Sequence, residues 1–305
     1  MRCLVTGGAG FIGSHVVDFL VAQGLDVVVL DNLSTGRREN INPRTTLIRA
    51  DIAEYDRIKD LCQDCDYVFH LAALPRIQPS FDDPLVHDRV NVHGTLNLLL
   101  ACKNTRVKKF VYSSSSAIYG TPDAVPTDEH APIRCPNPYA LQKYAAEQYC
   151  LMLGERYGIP VVSLRYFNVY GPRSYNPDDT FNAYSPVIGI FLCRAATGKN
   201  LQITGDGAQS RDFIHVADVA VANLAAARSD RAGEVYNVGF GRAYTILEIA
   251  RRISENYEFI PERKGEARDT LANIEKIKRE LGWRPSIDLD RGLEMMRESY
   301  DSCGR

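Results

Sequence analysis

Long apolar runs, an excess of one charge and low-complexity tracts are all missing from this sequence. No apolar run approaches about 18 residues, the shortest that spans a bilayer as a helix, and no signal-peptide pattern opens the chain. We therefore expect no membrane span and a cytoplasmic protein. The 36 basic and 38 acidic side chains give a formal net charge of −2, which offers no basic surface to a nucleic acid.

Cysteine patterns typical of metal or disulfide sites are also scarce. Most of the 8 cysteines lie inside apolar patterns, as reduced core thiols do. Cys62 and Cys65 have the C-x-x-C spacing, but no second pair or histidine partner accompanies them, so we predict no metal site. The composition, 45% hydrophobic and 24% charged, is that of a globular protein with one large core or two lobes.

The chain does contain a glycine-rich turn between an apolar strand and an amphipathic helix. Gly7, Gly10 and Gly13 follow the apolar run 3–5 with the spacing G-x-x-G-x-x-G. Backbone N–H groups and the positive end of a helix dipole at such a turn suit a pyrophosphate. Glycine turns that bind nothing also occur. The second apolar strand, 26–31, ends in Asp31, where a carboxylate can meet a ribose hydroxyl, so we predict a bound dinucleotide.

Asp31 also indicates which dinucleotide is bound. Its carboxylate would repel a phosphate on the ribose, so it favours NAD over NADP. Arg37 and Arg38 follow closely enough in the sequence to keep NADP as the alternative.

Alternating apolar runs and helical periods predict an α/β fold, a doubly wound parallel sheet of the Rossmann type with a smaller α/β substrate-binding lobe. The predicted strands are 2–6, 26–31, 46–50, 66–71, 107–113 and 160–165. The predicted helices are 11–22, 54–61, 84–103, 138–157, 186–197, 245–255, 273–281 and 289–299. Because the alternation fails after Arg165, we place the dinucleotide-binding domain at 1–165, with segments near 212–238 returning to it, and the lobe mainly at 166–305.

Tyr139 and Lys143 lie on one face of the predicted helix 138–157, just inside its start. A cation about 6 Å away in an effective dielectric near 20 contributes roughly 3 kcal/mol, or about two pKa units, towards the phenolate. An oxidised nicotinamide ring would add to this, so we predict that Tyr139 is a base for a sugar or alcohol hydroxyl. The same spacing also occurs by chance in structural helices.

A run of serines, 113–116, follows the strand residues 110–112. Polar residues at the carboxyl end of a strand face the ligand crevice of such a sheet, so one serine can hydrogen-bond the reacting oxygen. The alternative is that the serines only satisfy a turn.

Four ordered motifs together resemble the extended short-chain dehydrogenase/reductase family, and within it the UDP-sugar 4-epimerases. They are the glycine turn, the serine run that ends in Tyr119-Gly120, the Tyr139-x-x-x-Lys143 pair, and the segment 165–172, which reads R-Y-F-N-V-Y-G-P. The resemblance extends over nearly the whole chain. It implies that Ser115 is the catalytic serine beside Tyr139 and Lys143, with Ser116 as the fallback.

The resemblance also implies the binding residues. For NAD they are Gly7, Gly10, Phe11, Ile12, Gly13, Asp31, Asn32, Ser34, Thr35, Gly36, Asp51, Ile52, Leu71, Ala72, Ala73, Asn91, Tyr139, Lys143, Tyr166 and Val169. For a UDP-sugar they are Ser115, Ser116, Tyr139, Asn168, Val187, Arg211, Arg263 and Thr270. Asn168 and the two arginines would meet the diphosphate, whose negative charge suits guanidinium groups. The alternative for each arginine is a solvated surface charge.

In the resembling enzymes the tyrosine takes the proton of the sugar 4-hydroxyl while the C4 hydride goes to the nicotinamide. Members that dehydrate or decarboxylate carry acidic residues after the catalytic serine or threonine, whereas Ser116 and Ala117 stand there in this chain. Return of the hydride to the other face of a 4-keto sugar then gives C4 epimerisation. Thr270 matches the position that gates the size of the C2 substituent. A threonine there implies that N-acetylated and plain UDP-hexoses are both accepted.

Other readings stay open. Pro75-Arg76 stands where hexose epimerases of the family often carry a lysine, so a UDP-glucuronate 4-epimerase is an alternative. A net NAD-dependent UDP-sugar dehydrogenase is another, and a non-enzymatic NAD-binding regulator is a third, against which Ser115, Tyr139 and Lys143 argue. The helices near 90–103 and 139–157 carry apolar residues on more than one face, and the resemblance then implies a homodimer.

Overall fold

The computed structural model describes residues 1–175, 186–262 and 267–300. Its strands are Arg2–Thr6 (β1), Asp26–Asp31 (β2), Thr46–Arg49 (β3), Tyr67–His70 (β4), Lys109–Ser115 (β5), Val161–Tyr166 (β6), Val169–Tyr170 (β7), Leu201–Thr204 (β8), Ser210–Asp212 (β9), Ile214–His215 (β10), Glu234–Val238 (β11), Ala243–Thr245 (β12) and Tyr257–Ile260 (β13). Seven of them form one sheet in the order β11-β6-β5-β4-β1-β2-β3, with every pairing parallel. The predicted doubly wound sheet is therefore confirmed.

Helices cover both faces of this sheet and build the rest of the molecule. They are Phe11–Ala22 (α1), Tyr55–Ile58 (α2), Ile77–Asp82 (α3), Pro84–Asp88 (α4), Gly94–Cys102 (α5), Pro138–Tyr157 (α6), Val187–Ala196 (α7), Val216–Arg228 (α8), Ile246–Ile253 (α9), Glu275–Leu281 (α10) and Leu289–Tyr300 (α11). None of the helices in these described ranges has both the length and the apolar character that a bilayer span requires.

The strands of the sheet are apolar along their whole length because both of their faces are buried. Alternate residues point to opposite faces, so Val5 and Val29 pack with α1 and α8, whereas Leu4 and Val28 pack with the α5 and α6 side. The two cores explain why the periodicity of this half of the chain is readable from the sequence.

Three features near the site differ from the sequence prediction. β5 continues to Ser115, two residues further than expected, so Ser113, Ser114 and Ser115 are strand residues, and Ser116 begins a short 3-10 helix. The expected helix 84–103 is interrupted by a π-helical turn, Arg89–His93, between α4 and α5. A short helix, α3, lies where no helix was predicted. Such local departures depend on tertiary packing, which overrides propensity.

The second half of the chain contributes to both parts of the molecule. β11 lies at the edge of the main sheet beside β6, and α8 packs against α1. A separate core joins α7, α9 and α11 with the two-stranded pair β8 and β13. On this basis we propose the division that the sequence predicts, with the dinucleotide-binding part at 1–165, returning segments near 212–238, and the lobe mainly at 166–305.

Candidate active site

A cavity of about 1430 Å³ lies at the carboxyl ends of the parallel strands and extends to the lobe. All of the residues predicted to bind NAD line it, except Asn91. It is also lined by seven of the eight residues predicted to bind a UDP-sugar, namely Ser115, Ser116, Tyr139, Asn168, Val187, Arg211 and Thr270. The eighth, Arg263, lies outside the described residues. The fold thus brings residues that are far apart in sequence to one cavity.

The glycine turn has the close packing that its spacing predicts. Gly7 has a φ of +70°, and its N–H donates to the Leu30 carbonyl at 2.8 Å. A Cβ at Gly13 would lie 2.0 Å from the Gly7 carbonyl oxygen, so only glycine lets α1 start so near β1. Gly10 caps α1 without a side-chain hydrogen bond, which leaves the first N–H groups of the helix to a ligand. The turn therefore fits the pyrophosphate of NAD.

Asp31 is held by the backbone of the turn. Its carboxylate accepts hydrogen bonds from the Ala9 N–H at 2.9 Å and the Leu33 N–H at 2.8 Å. Burial raises the pKa of Asp31, and the two backbone bonds offset part of the rise. Arg37 also lines the cavity, but it forms an ion pair with Glu39. This arrangement is consistent with a ribose that carries no phosphate.

Asn91 is the one predicted NAD-binding residue that does not line the cavity. It is buried in the π-helical turn, where its amide donates to the Leu74 carbonyl at 3.0 Å and to Gln142 Oε1 at 3.1 Å. Its carbonyl oxygen accepts from the Leu74 N–H at 2.8 Å. The two bonds with Leu74 hold the end of the segment 71–74, which lines the cavity, and the bond with Gln142 connects Asn91 to α6. Asn91 therefore supports the wall of the cavity, and its contact with NAD stays a prediction.

Ser115 and Tyr139 are brought together by the ends of β5 and α6. Asn137 caps α6 by accepting from the Ala140 N–H at 2.9 Å, and Pro138 occupies the first turn, where its missing N–H costs nothing. The Tyr139 N–H donates to Ser80 Oγ at 3.1 Å, which orients the start of the helix. The Ser115 side chain lies near enough to the Tyr139 phenol to lower its pKa.

Burial raises the pKa of the Tyr139 phenol, and the nearby Ser115 hydroxyl offsets part of the rise. The lowering of this pKa by Lys143 and an oxidised nicotinamide stays a prediction. Burial also lowers the pKa of Lys143 to about 8. The Lys143 ammonium lies over the Tyr112 ring, with Nζ 4.5 Å from its centre.

Sequence reasoning missed His70, which ends β4 beside the site. Thr6 Oγ1 and Thr95 Oγ1 lie 2.7 and 2.8 Å from its two ring nitrogens. Thr95 already donates to the Asn91 carbonyl, so it must accept from His70 Nε2–H, and Thr6 then donates to Nδ1. Burial, and to a lesser degree the Lys143 charge, lowers the pKa of His70 to about 3, so the imidazole is neutral.

The substrate end of the cavity joins Asn168, Arg211 and Thr270. The Asn168 amide donates to the Asp212 carbonyl at 2.9 Å and to Thr270 Oγ1 at 3.1 Å. Arg211 donates to the carbonyls of Ser210 and Arg268 at 2.9 and 2.8 Å. Asn168 and Thr270 are 102 residues apart, so nothing local in the sequence could pair them.

Asp212 is a second residue that sequence reasoning missed. Its carboxylate accepts from the backbone N–H groups of Phe240, Gly241 and Ala272 at 2.7, 2.9 and 3.0 Å. Burial raises the pKa of Asp212 to about 6, and these three bonds oppose the rise. The only signal in the sequence is its position directly after Arg211. Asp212 ties the segment that carries Thr270 to the strand that carries Arg211.

A doubly wound sheet with a tyrosine and a lysine one helical turn apart at its carboxyl edge defines a nicotinamide-dependent short-chain dehydrogenase/reductase. The model of the NAD dependent epimerase/dehydratase family matches residues 3–239, and the chain belongs to that family. Within it, the chain is an extended short-chain dehydrogenase/reductase of the UDP-sugar 4-epimerase kind, with NAD as its cofactor.

Individual relatives agree with this assignment. A putative UDP-glucose 4-epimerase of Methanocaldococcus jannaschii is 39% identical over 299 residues, which cover 95% of each chain. The structure of UDP-glucose 4-epimerase from Thermotoga maritima with UDP-glucose has a TM-score of 0.93 at 37% identity, covering 99% of each chain. UDP-N-acetylglucosamine 4-epimerase from Methanobrevibacter ruminantium M1 has a TM-score of 0.92 at 37% identity, covering 99% of this chain and 98% of that one.

Proposed function

We propose that this UDP-sugar 4-epimerase accepts two kinds of hexose: it interconverts UDP-N-acetylglucosamine with UDP-N-acetylgalactosamine, and UDP-glucose with UDP-galactose. The single observation that carries the proposed catalytic site is that Ser115, Tyr139 and Lys143 line the same cavity as the glycine turn. Both hydroxyl groups can reach one substrate oxygen there. Lys143 follows one helical turn later on the same helix.

In the proposed mechanism Tyr139 removes the proton of the sugar 4-hydroxyl, and Ser115 holds the same oxygen. When bound, NAD would be held by the glycine turn, Asp31 and Lys143, and it would accept the C4 hydrogen as hydride and give it back. If the 4-keto sugar turns over between the two transfers, the hydride returns to the opposite face of C4, which inverts the configuration, while Tyr139 returns the proton to the 4-oxygen. Ser116 and Ala117, which line the cavity after Ser115, have no carboxyl group to promote elimination.

The proposed breadth of substrate rests on Thr270. Its side chain lines the cavity and accepts a hydrogen bond from Asn168, a predicted diphosphate contact. A threonine is small, so space is left for an N-acetyl group at C2, whereas a tyrosine would fill that space.

The substitution Thr270→Tyr tests this gate. We expect the kcat/KM for UDP-N-acetylglucosamine to fall by roughly 100-fold, because a steric change of this size in a pocket is worth about 1–3 kcal/mol, while UDP-glucose turnover stays near the starting value. NMR that resolves the 4-epimers measures both reactions. Thr270→Ser is the matched control, since it keeps the hydroxyl and the small volume, and both substrates should survive it. Equal loss on the two substrates in Thr270→Tyr would refute the gate.

A UDP-glucuronate 4-epimerase is the second candidate. Arg76 lines the cavity with a φ of 91°, a strained backbone geometry for a residue other than glycine, and its guanidinium suits a sugar carboxylate. Incubation with UDP-glucuronate beside the four hexose substrates distinguishes the two candidates. The absorbance of reduced nicotinamide in the same assays would reveal net dehydrogenation.

We also propose a homodimer that forms through α5 and α6. Leu141 and Met152 on α6 are each 57% exposed, and Leu100 on α5 is 39% exposed, which is unusual for apolar side chains on neighbouring helices. A second copy of the chain would cover them. A cytoplasmic location stays a prediction from the sequence.

A further inference from the structure

Tyr112 lies beneath the lysine of the proposed site. It belongs to β5, three residues before Ser115, and its side chain is fully buried. The Lys143 ammonium nitrogen lies 4.5 Å from the centre of the Tyr112 ring, well inside the range of a cation–π contact. The Tyr112 hydroxyl also donates a long hydrogen bond of 3.4 Å to the Lys143 carbonyl. Tyr112 thus contacts both the charged end and the backbone of the lysine.

Among the other groups near this ammonium, Cys150 and Glu147 raise the pKa of Lys143, but burial outweighs them. His70 faces it from β4, with its imidazole 5.6 Å from the Tyr112 ring, and is neutral. Tyr139 and Cys150 face it from α6 itself. Glu147, also on α6, is taken up by Arg165 at 2.7 Å and Ser163 at 2.9 Å. Within ranges 1–175, 186–262 and 267–300, no carboxylate forms an ion pair with Lys143.

A buried ammonium without a paired carboxylate tends to lose its proton, and burial has this effect on Lys143. The negative face of an aromatic ring opposes the loss, and it does so more strongly where water is excluded. The Tyr112 ring, buried and next to the Lys143 ammonium, is therefore placed to stabilise the charged form of the lysine.

We propose that Tyr112 is a positioning residue for the reaction: its ring holds the Lys143 ammonium at the cavity and keeps it charged. The inference rests on the proposed function, in which Lys143 helps to hold NAD beside Tyr139. Because the attraction comes from the face of the ring, a phenylalanine can provide it and an aliphatic side chain cannot.

The test compares Tyr112→Phe with Tyr112→Leu in the NAD-loaded protein. The first readout is the titration of the Lys143 Cε resonance in protein labelled with ¹³C-lysine, assigned by its loss in Lys143→Met. We expect the lysine pKa to fall by about one unit in Tyr112→Leu and to change little in Tyr112→Phe. The second readout is the alkaline limb of kcat for UDP-glucose, which should move to lower pH by the same amount in Tyr112→Leu only.

Tyr157→Leu is the matched control. Lys103 lies 5.0 Å above the Tyr157 ring at the far end of α6, so this variant removes the same kind of contact away from the site. It should leave both readouts of the proposed site as they are. The urea midpoint and the amount of NAD that copurifies show whether each variant folds. If Tyr112→Leu does not fold, Tyr112→Met takes its place.

Two results would overturn the proposal. One is a pKa of Lys143 in Tyr112→Leu or Tyr112→Met that equals the pKa in the unsubstituted protein. The other is a fall in Tyr112→Phe as large as in the aliphatic variant, which would trace the effect to the hydroxyl group. Normal turnover in Lys143→Met would instead contradict the role of the lysine in the proposed function, while the NMR titration would still decide whether the ring stabilises its charge.

Discussion

Arg165 is the residue through which three parts of the sheet region contact one another. Its guanidinium donates to both oxygens of Glu147 at 2.7 and 3.1 Å, to Tyr119 Oη at 2.8 Å and to the Glu129 carbonyl at 3.0 Å. Tyr119 in turn donates to Asn237 Oδ1 at 2.7 Å. Arg165 and Glu147 are 5% and 0% exposed, so neither charge has water as an alternative partner. This network holds α6, which carries Tyr139 and Lys143, against the sheet.

Glu147→Gln is expected to destabilise the protein strongly. The substitution keeps the shape but leaves the Arg165 charge buried without its counter-ion, and breaking a buried pair in this way costs about 3–5 kcal/mol. The free energy of unfolding in urea measures the loss. Asp56→Asn removes one partner of the exposed pair with Lys59 and serves as the control, with little expected change in the urea midpoint. Similar midpoints for the two variants would contradict the argument.

At the scale of elements, α6 connects the proposed catalytic site with the proposed dimer surface. Asn137 and Pro138 start the helix, and Gly158, with a φ of +69°, ends it in the left-handed conformation that glycine favours. Lys143 and Glu147 point inward on one side of the helix, whereas Leu141 and Met152 are exposed on the other. A helix that is apolar beyond its core-facing stripe indicates a second packing partner.

The double substitution Leu141→Glu and Met152→Glu, which introduces charges of one sign, is expected to convert a dimer into a monomer. Charges placed at the centre of an apolar interface lose their hydration without gaining a partner. Light scattering after size-exclusion chromatography gives the mass. Val221→Glu on α8, where the apolar side chain is 40% exposed, is the control and should keep the mass of the starting protein. If the unsubstituted protein has the mass of one chain, the proposed homodimer is wrong.

At the scale of the whole molecule, several buried groups make stability depend on pH. Burial lowers the pKa of His70 to about 3, that of His215 to about 4, and that of His15 as well. It raises the pKa of Asp212 to about 6 and also raises that of Asp31. The stability tied to the neutral histidines is complete above their unfolded pKa of about 6.5 and is lost as the pH falls. The two carboxyl groups act in the opposite direction.

We therefore expect the unfolding free energy to decrease as the pH falls from about 6 to 5. The two histidines His70 and His215, against the one carboxyl group of Asp212, leave an uptake of about one proton on unfolding, which corresponds to about 1.4 kcal/mol per pH unit. Urea unfolding at a series of pH values measures the slope. His70→Gln removes one of the histidines and should flatten it. A stability that rises over this interval would show that the buried carboxyl groups dominate.

Much of the fold could be predicted because it follows from short-range patterns. Three such patterns lie near the start of the chain: the apolar run of β1, the turn with Gly7, Gly10 and Gly13, and the apolar run of β2 that ends in Asp31. Together they predict a strand, the helix that follows it and the edge of the sheet at which the cofactor binds. The Tyr139 and Lys143 spacing likewise follows from the helical period. Strands and helices have fixed backbone periods, so the order of apolar and polar residues along the chain is enough to predict these features.

Only the tertiary structure decided which side chains act on one another. Asn91 accepts a hydrogen bond from the Leu74 N–H, and the Lys143 ammonium lies over the Tyr112 ring, while burial raises the pKa of Tyr139. Burial and hydrogen bonding depend on what packs around a group from distant parts of the chain, as when Asn168 meets Thr270. Because desolvation and partner geometry are properties of the folded surroundings, no reading of local spacing could have supplied them.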